Sequence, residues 1–102
     1  MSTDTDIKID EEVKQKVKLP SRYKVIFLND DKTPMEWVIR LLTDLFKHSV
    51  SAATQITMTI HNEGSGVVGT YSHEVAEQKM SEAVEASRSR GFPLGVTIEE
   101  DK

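Results

Sequence analysis

The sequence contains no cysteine, and this absence excludes several kinds of chemistry. A chain without thiols forms no disulfide, has no thiolate ligands for zinc and offers no cysteine nucleophile. No apolar run approaches the roughly 20 residues that a membrane-spanning helix requires. The first ten residues, MSTDTDIKID, are acidic and polar, unlike a secretory or mitochondrial signal. We therefore expect a cytoplasmic protein with no membrane partner.

Positive charge is also scarce. The chain has 13 Lys and Arg against 17 Asp and Glu, which gives a formal net charge of -4. The basic residues are scattered along the sequence, whereas a phosphate-binding surface needs a local excess of Lys and Arg. The charge balance thus argues against a nucleic-acid-binding protein.

What is present indicates a single small folded domain with a polar segment before it. The 102 residues are 37% apolar and 29% charged, a composition typical of one globular domain. Residues 1–20 contain no aromatic residue, mix both charges and end at Pro20. Their few aliphatic residues bury too little surface to hold a helix. We expect residues 1–20 to be a flexible N-terminal extension and residues 21–102 to form the domain.

The folded part begins with a strand and a helix. The segment YKVIFL alternates apolar positions and is rich in β-branched and aromatic residues, which predicts a strand. TPMEWVIRLLTDLFKH, residues 33–48, then predicts a helix. Thr33 and Glu36 match a capping box, and Pro34 suits the first helical position.

Four further elements follow. Ser49 to Gly64 predicts a second helix that a glycine ends, and residues 66–71 predict a short strand. Ser72 caps a third helix, which ends at Gly91, and FPLGVTIEE supplies the last strand. The order β-α-α-β-α-β predicts an α+β fold: a small antiparallel three-stranded sheet with three helices packed on one face.

The turn after the first strand, Asn29-Asp30-Asp31, is open to more than one interpretation. Asn and Asp are common in turns because they bond their own backbone. The same oxygens are hard metal ligands, although no EF-hand spacing is present. Adjacent carboxylates that leave a strand point in different directions, which disfavours an acid/base pair. A small metal-dependent hydrolase using Asp30, Asp31 and His61 stays an alternative.

Three stretches, taken in order, carry a family resemblance. They are YKVIFLNDDKTPMEWVIRLL, AATQITMTIHNEGSGVVGTYSHEVAEQK and GFPLGVTIEE. Together they resemble the ClpS family, the adaptors of the bacterial ClpA–ClpP protease, over about residues 20–100. The resemblance implies an adaptor rather than an enzyme, with no cofactor or metal. Nothing in the sequence suggests an obligate oligomer, so we expect a monomer. Such proteins bind chains that begin with Leu, Phe, Tyr or Trp and deliver them to ClpA–ClpP.

The resemblance also implies an α-amino-group site made of Asn29, Asp30 and His61. A free amino terminus, with a pKa of about 7.7–8.0, is an ammonium at neutral pH and donates three hydrogen bonds. Amide, carboxylate and imidazole groups can accept them. His61 accepts only while it is neutral, so binding should weaken as it becomes protonated.

The first side chain of the ligand would enter an apolar pocket. The family's pocket positions match Thr33, Met35, Val38, Thr57 and Leu94, and Asp31 matches a position that bounds the site. At position 57 the family commonly has Met. A smaller, hydroxyl-bearing residue there predicts an altered preference among the four N-terminal residues.

Docking on the protease is the last implied role. Glu74 and Lys79, on the third predicted helix, match positions that contact the N-terminal domain of the ClpA unfoldase. The extension, residues 1–20, would be engaged by the unfoldase while substrate is handed over.

Overall fold

A computed structural model describes residues 21–102, so the predicted extension at residues 1–20 lies outside the described part. Six elements follow in the predicted order: β1 Arg22–Leu28, α1 Met35–Asp44, α2 Val50–Glu63, β2 Ser65–Ser72, α3 His73–Ser89 and β3 Gly95–Asp101. The α+β prediction is confirmed, with a three-stranded sheet and three helices on one face of it.

The sheet places β1 at its centre. Its order is β2-β1-β3, and both pairs are antiparallel. Between β1 and β3 the register runs from Arg22 opposite Asp101 to Leu28 opposite Gly95. Because successive side chains of a strand point to opposite faces, Val25 and Phe27 turn together toward the helices and are fully buried.

The core fills the layer between the sheet and the helices. Its buried apolar residues are Val25, Phe27, Val38, Leu41, Leu42, Phe46, Ala53, Ile60, Val68, Ala76, Ala83 and Leu94. Fully burying one large apolar side chain is worth roughly 1.5–3 kcal/mol. Members of this core therefore hold α1, α2 and the segment before β3 in fixed positions around the end of β1.

The predicted start of α1 is wrong. The helix begins at Met35 with Pro34 as its N-cap residue, and no side chain caps it. Thr33 Oγ1 is buried and makes no hydrogen bond. Asp30 organises the turn instead, because its Oδ1 accepts the backbone N–H of Lys32 at 2.8 Å and that of Thr33 at 2.7 Å. The capping box fails because Thr33 lies one residue too far from the helix.

The predicted end of α1 at residue 48 is also too late. The helix ends at Asp44, and Lys47 has a φ of 63°. A left-handed residue reverses the chain direction, after which the His48 N–H donates to Leu42 O at 2.9 Å. The other predicted caps are confirmed: Ser49 accepts from the Ala52 N–H and Ser72 from the Val75 N–H.

Candidate functional site

A cavity lies where β1 ends, between α1, the second half of α2 and the segment before β3. It encloses about 270 Å³, including the part open to solvent. Its lining residues are Leu28, Asn29, Asp30, Thr33, Met35, Val38, Thr57, Ile60, His61 and Leu94. The structure thus brings together the residues predicted for the amino-group site and for the pocket, with the exception of Asp31.

A backbone hydrogen bond joins the two sides of the cavity. The Asn29 N–H donates to Gly64 O at 2.9 Å, which ties the end of β1 to the C-cap of α2. Gly64 has a φ of 92°, a left-handed conformation that glycine adopts without strain. His61 lies in the last turn of the same helix. Asn29 and His61, 32 positions apart in the chain, therefore meet at one rim.

Asp30 is an ionised carboxylate with one oxygen still free. Burial acts to raise its pKa, but the nearby Thr33 hydroxyl, the hydrogen bonds from the Thr33 and Lys32 N–H groups and the Arg88 charge all lower it. The net effect is a pKa below the ordinary value of 3.8. Its Oδ1 is occupied by the turn, whereas Oδ2 is buried and accepts no hydrogen bond. The free oxygen is suited to a cationic donor.

Unpaired buried oxygens concentrate in this cavity. Within residues 21–102, the buried side-chain polar atoms without a hydrogen-bond partner are Asp30 Oδ2, Thr33 Oγ1 and Thr57 Oγ1. All three residues line the cavity. Leaving such an atom unpaired costs about 1–3 kcal/mol, so folded proteins rarely do it without a functional reason. A polar ligand or an ordered water molecule placed in this cavity would pair with them.

The interior of the cavity is otherwise apolar. Val38, Ile60 and Leu94 are buried and form its walls, while Met35 and Leu28 are each 39% exposed at its edge. An apolar interior beside a charged rim is the usual composition of a specific binding site. The arrangement suits a ligand with a bulky apolar group and a cationic end.

Two lining residues were not predicted from the sequence. Leu28 is the last residue of β1 and points away from the core face that holds Phe27. Ile60 directly precedes His61 and is 3% exposed. Ile60 also leaves no space beside Gly66, where a Cβ atom would lie 2.9 Å from Ile60 Cγ1. The absence of a side chain at Gly66 therefore lets β2 pack closely against α2 next to the cavity.

Asp31 is the exception among the predicted site residues. It is exposed and does not line the cavity, so Asp30, Asp31 and His61 do not share one site. Within the described residues no group of three or more His, Cys, Asp or Glu is arranged to hold a metal ion. The three residues that the hydrolase alternative named are therefore not gathered around this cavity.

The two residues predicted to face an unfoldase differ in their surroundings. Glu74 is exposed in the first turn of α3. Lys79 is half-buried, and its Nζ donates to Leu45 O at 3.0 Å, at the C-terminal end of α1. The same ammonium lies 5.8 Å from the Phe46 ring centre and 5.5 Å from that of Tyr71. Lys79 therefore has a structural role that its position on a helix face did not reveal.

No helix in residues 21–102 has both the length and the apolar character to cross a bilayer.

Comparison with known proteins finds the same family at every level. Residues 18–97 match the model of the ATP-dependent Clp protease adaptor protein ClpS. An ATP-dependent Clp protease adapter protein ClpS of Burkholderia mallei is 43% identical over 95 residues, which cover 93% of this chain and 91% of that one. One from Burkholderia thailandensis is 44% identical over 90 residues, with coverages of 88% and 86%. The solved structure of Agrobacterium tumefaciens ClpS2 bound to L-phenylalaninamide is 40% identical, with a TM-score of 0.79 over 81% of this chain and all of that one.

Proposed function

This chain belongs to the ClpS family of adaptors of the ATP-dependent Clp protease, and we propose that its cavity binds the N-terminal residue of proteins that begin with Leu, Phe, Tyr or Trp. The observation that carries the proposal is the free Asp30 oxygen at the rim of an apolar cavity. The A. tumefaciens relative is bound to L-phenylalaninamide, a molecule with a free amino group beside an aromatic side chain.

The amino-group site consists of Asn29, Asp30 and His61. An ammonium placed among them donates to the Asp30 carboxylate, the Asn29 amide oxygen and a neutral His61 nitrogen. An internal peptide bond offers one uncharged N–H, and the preceding residue would occupy the place of the ammonium. The site thus distinguishes the end of a chain from its middle.

The side-chain pocket supplies the rest of the affinity. Burying a large apolar side chain against Val38, Ile60 and Leu94 contributes roughly 1.5–3 kcal/mol. Each hydrogen bond to a charged group adds roughly 1.5–3 kcal/mol. After the costs of association, a dissociation constant of about 1 μM is expected. That affinity suits an adaptor, which must release its cargo.

Direct titration tests this function. L-phenylalaninamide and a Phe-initiated peptide should both bind without added metal, each displacing the other, and the peptide should be recovered intact. A peptide of the same composition with Phe only at an internal position is the control. Binding of the control with equal affinity, or no binding by either ligand at millimolar concentration, would contradict the proposal.

The pH dependence of binding should come from His61. Binding is expected to weaken when the pH is lowered from 7.5 to 5.5, because a protonated His61 no longer accepts a hydrogen bond and repels the ammonium. Asp30 cannot cause this loss, since its lowered pKa keeps it ionised throughout that range. The ligand amine cannot cause the loss either, because it only becomes more fully protonated as the pH falls. The measurement is a peptide titration repeated at several pH values.

Two variants test whether His61 causes the pH dependence of binding. In His61→Gln, a neutral amide oxygen accepts at every pH, and the decline below pH 7.5 should disappear. His73→Gln removes an exposed histidine that lies against the Tyr23 ring, outside the cavity, and should retain the decline. A His61→Gln protein that still loses affinity with falling pH would show that another group accepts the ammonium.

Delivery of the bound protein would use a separate surface. We assign docking on the N-terminal domain of the ClpA unfoldase to the face of α3 that carries Glu74 and Lys79, with the extension at residues 1–20 engaged during hand-over. The exposed Glu74 carboxylate supports this assignment. Since Lys79 also bonds Leu45 O, its replacement should affect both the fold and the docking.

A further inference from the structure

The segment that links α3 to β3 supplies one wall of the cavity. It carries Leu94, which is 1% exposed and lines the pocket. Leu94 lies just before β3, whose pairing with β1 begins at Gly95 opposite Leu28. The position of this wall therefore depends on how the short link itself is held.

A single side chain holds the link from α3. Arg88 Nη1 donates to Phe92 O and to Leu94 O, each at 3.0 Å. Pro93 between them has no N–H to contribute. The backbone N–H groups that the link bonds to α3 belong to its start, at Arg90, Gly91 and Phe92. The end that carries Leu94 is fixed to α3 by the guanidinium.

The same guanidinium also acts on the polar side of the cavity. Its positive charge is one of the influences that keep Asp30 ionised. Arg88 thus connects the apolar wall to the acceptor of the ammonium, although it does not itself line the cavity.

We propose that Arg88 is a positioning residue of the binding site, which sets the place of Leu94 by holding the carbonyl groups on both sides of Pro93. The inference rests on the proposed function, because it concerns how the pocket of that function is shaped. Nearby arginines do not share this role. Arg90 lies over the Trp37 ring at 4.9 Å, and Arg40 pairs with Asp44 at 3.6 Å on the exposed face of α1.

The test compares Arg88→Met, Arg88→Lys and the charge-matched control Arg40→Met. Arg88→Met keeps an unbranched stem of similar length to the aliphatic part of arginine and removes the guanidinium with both hydrogen bonds. We expect its affinity for a Phe-initiated peptide to fall about fivefold, the equivalent of part of one charge-assisted hydrogen bond. Arg88→Lys keeps a charged donor but lacks the planar guanidinium with its several N–H groups, so its affinity for the peptide should fall by less. Arg40→Met should bind as the unaltered protein does.

Three further measurements separate positioning from a general loss of stability. Urea denaturation identifies conditions in which every variant is folded. Hydrogen exchange of the segment 91–95 should be faster in Arg88→Met before any ligand is added. The affinity ratio between Phe-initiated and Ala-initiated peptides should also fall, because Leu94 contacts only the larger side chain.

Failure of the role proposed for Arg88 can be told apart from failure of the proposed binding function. Unaltered affinity in Arg88→Met, an equal loss in Arg40→Met, or unchanged exchange in segment 91–95 would overturn the role of Arg88. If Arg88→Met does not fold, the same measurements are made on Arg88→Lys. Hydrogen exchange and peptide affinity equal to those of the unaltered protein would then overturn the proposal. If the unaltered protein fails to bind a Phe-initiated peptide, the proposed function fails instead.

Discussion

Acetylating the α-amino group of a Phe-initiated peptide is expected to weaken its binding at least about 100-fold. The modification removes the charge and two of the three donors, and each lost hydrogen bond to a charged partner is worth roughly 1.5–3 kcal/mol. It also leaves Asp30 Oδ2 buried and unpaired, which adds a desolvation cost. Two such contributions exceed the roughly 2.8 kcal/mol that a factor of 100 represents. Competition against a fluorescent Phe-initiated peptide measures the change.

Asp30→Asn shows whether that carboxylate is the group responsible. The amide oxygen of Asn can still accept the Lys32 and Thr33 N–H groups, so the turn should be retained. The charge that attracts the ammonium is lost, and the unmodified peptide should bind far more weakly. Acetylation should then have a much smaller additional effect, because the two changes remove the same interaction.

Asp31→Asn is the matched control, since it makes the same chemical change at the neighbouring residue. Asp31 is exposed and lies outside the cavity lining. Its replacement should alter the affinity by less than about threefold, as expected of a screened surface charge. An equal loss in both variants, or an acetylated peptide that binds as well as the free one, would remove the ammonium site from the proposal.

The fold was predictable because local and global preferences agree along most of the chain. The alternation of β1, the Ser49 and Ser72 caps and the glycine at position 64 each act within a few residues. The error at α1 has a different origin. Thr33 has the right residue type for a cap, but Asp30 Oδ1 accepts the Lys32 and Thr33 N–H groups, and the helix begins one residue later than predicted, with Pro34 at its N-cap. Sequence alone could not show which of these two side chains would bond backbone N–H groups, and therefore at which residue the helix begins.

Most of the residues that line the cavity could be named from the sequence, whereas the hydrogen bonds around it could not. The family motifs indicated which positions line the pocket, whereas periodicity placed neither Leu28 nor Ile60 there. The contacts made by Lys79 and Arg88 join residues on different elements. Such pairings depend on helix placement and side-chain reach, and no local pattern encodes them. The unpaired oxygens could also be identified only once the packing was known.

Thr57 lines the cavity at the position where the family resemblance implies Met, and its hydroxyl makes no hydrogen bond. The residue is 3% exposed, and Oγ1 makes no hydrogen bond. Thr54, one turn earlier, bonds Val50 O at 2.8 Å, the usual arrangement for a helical threonine. The Thr57 hydroxyl is therefore available to a polar atom on the ligand side chain, such as the Tyr hydroxyl.

Thr57→Val is expected to lower the affinity for a Tyr-initiated peptide about tenfold relative to a Phe-initiated one. Valine keeps the shape of threonine but leaves the buried Tyr hydroxyl without a partner, at a cost of about 1–3 kcal/mol. Thr57→Met should act through side-chain volume instead, because the larger methionine fills the interior of the pocket. The affinity for a peptide that begins with Trp, the largest of the four side chains, should fall at least about tenfold relative to that for a Leu-initiated peptide. Titrating all four peptides against each variant gives the rankings.

Thr54→Val provides the control, because it makes the same substitution on the same helix at an exposed position outside the cavity. It should lower stability slightly through the lost bond to Val50 O and leave the four affinities in their original order. A ranking that stays the same in both Thr57 variants would contradict a specificity role for this residue. A shift in Thr57→Met alone would mean that volume at position 57 selects the ligand and that the free hydroxyl contributes nothing to the choice.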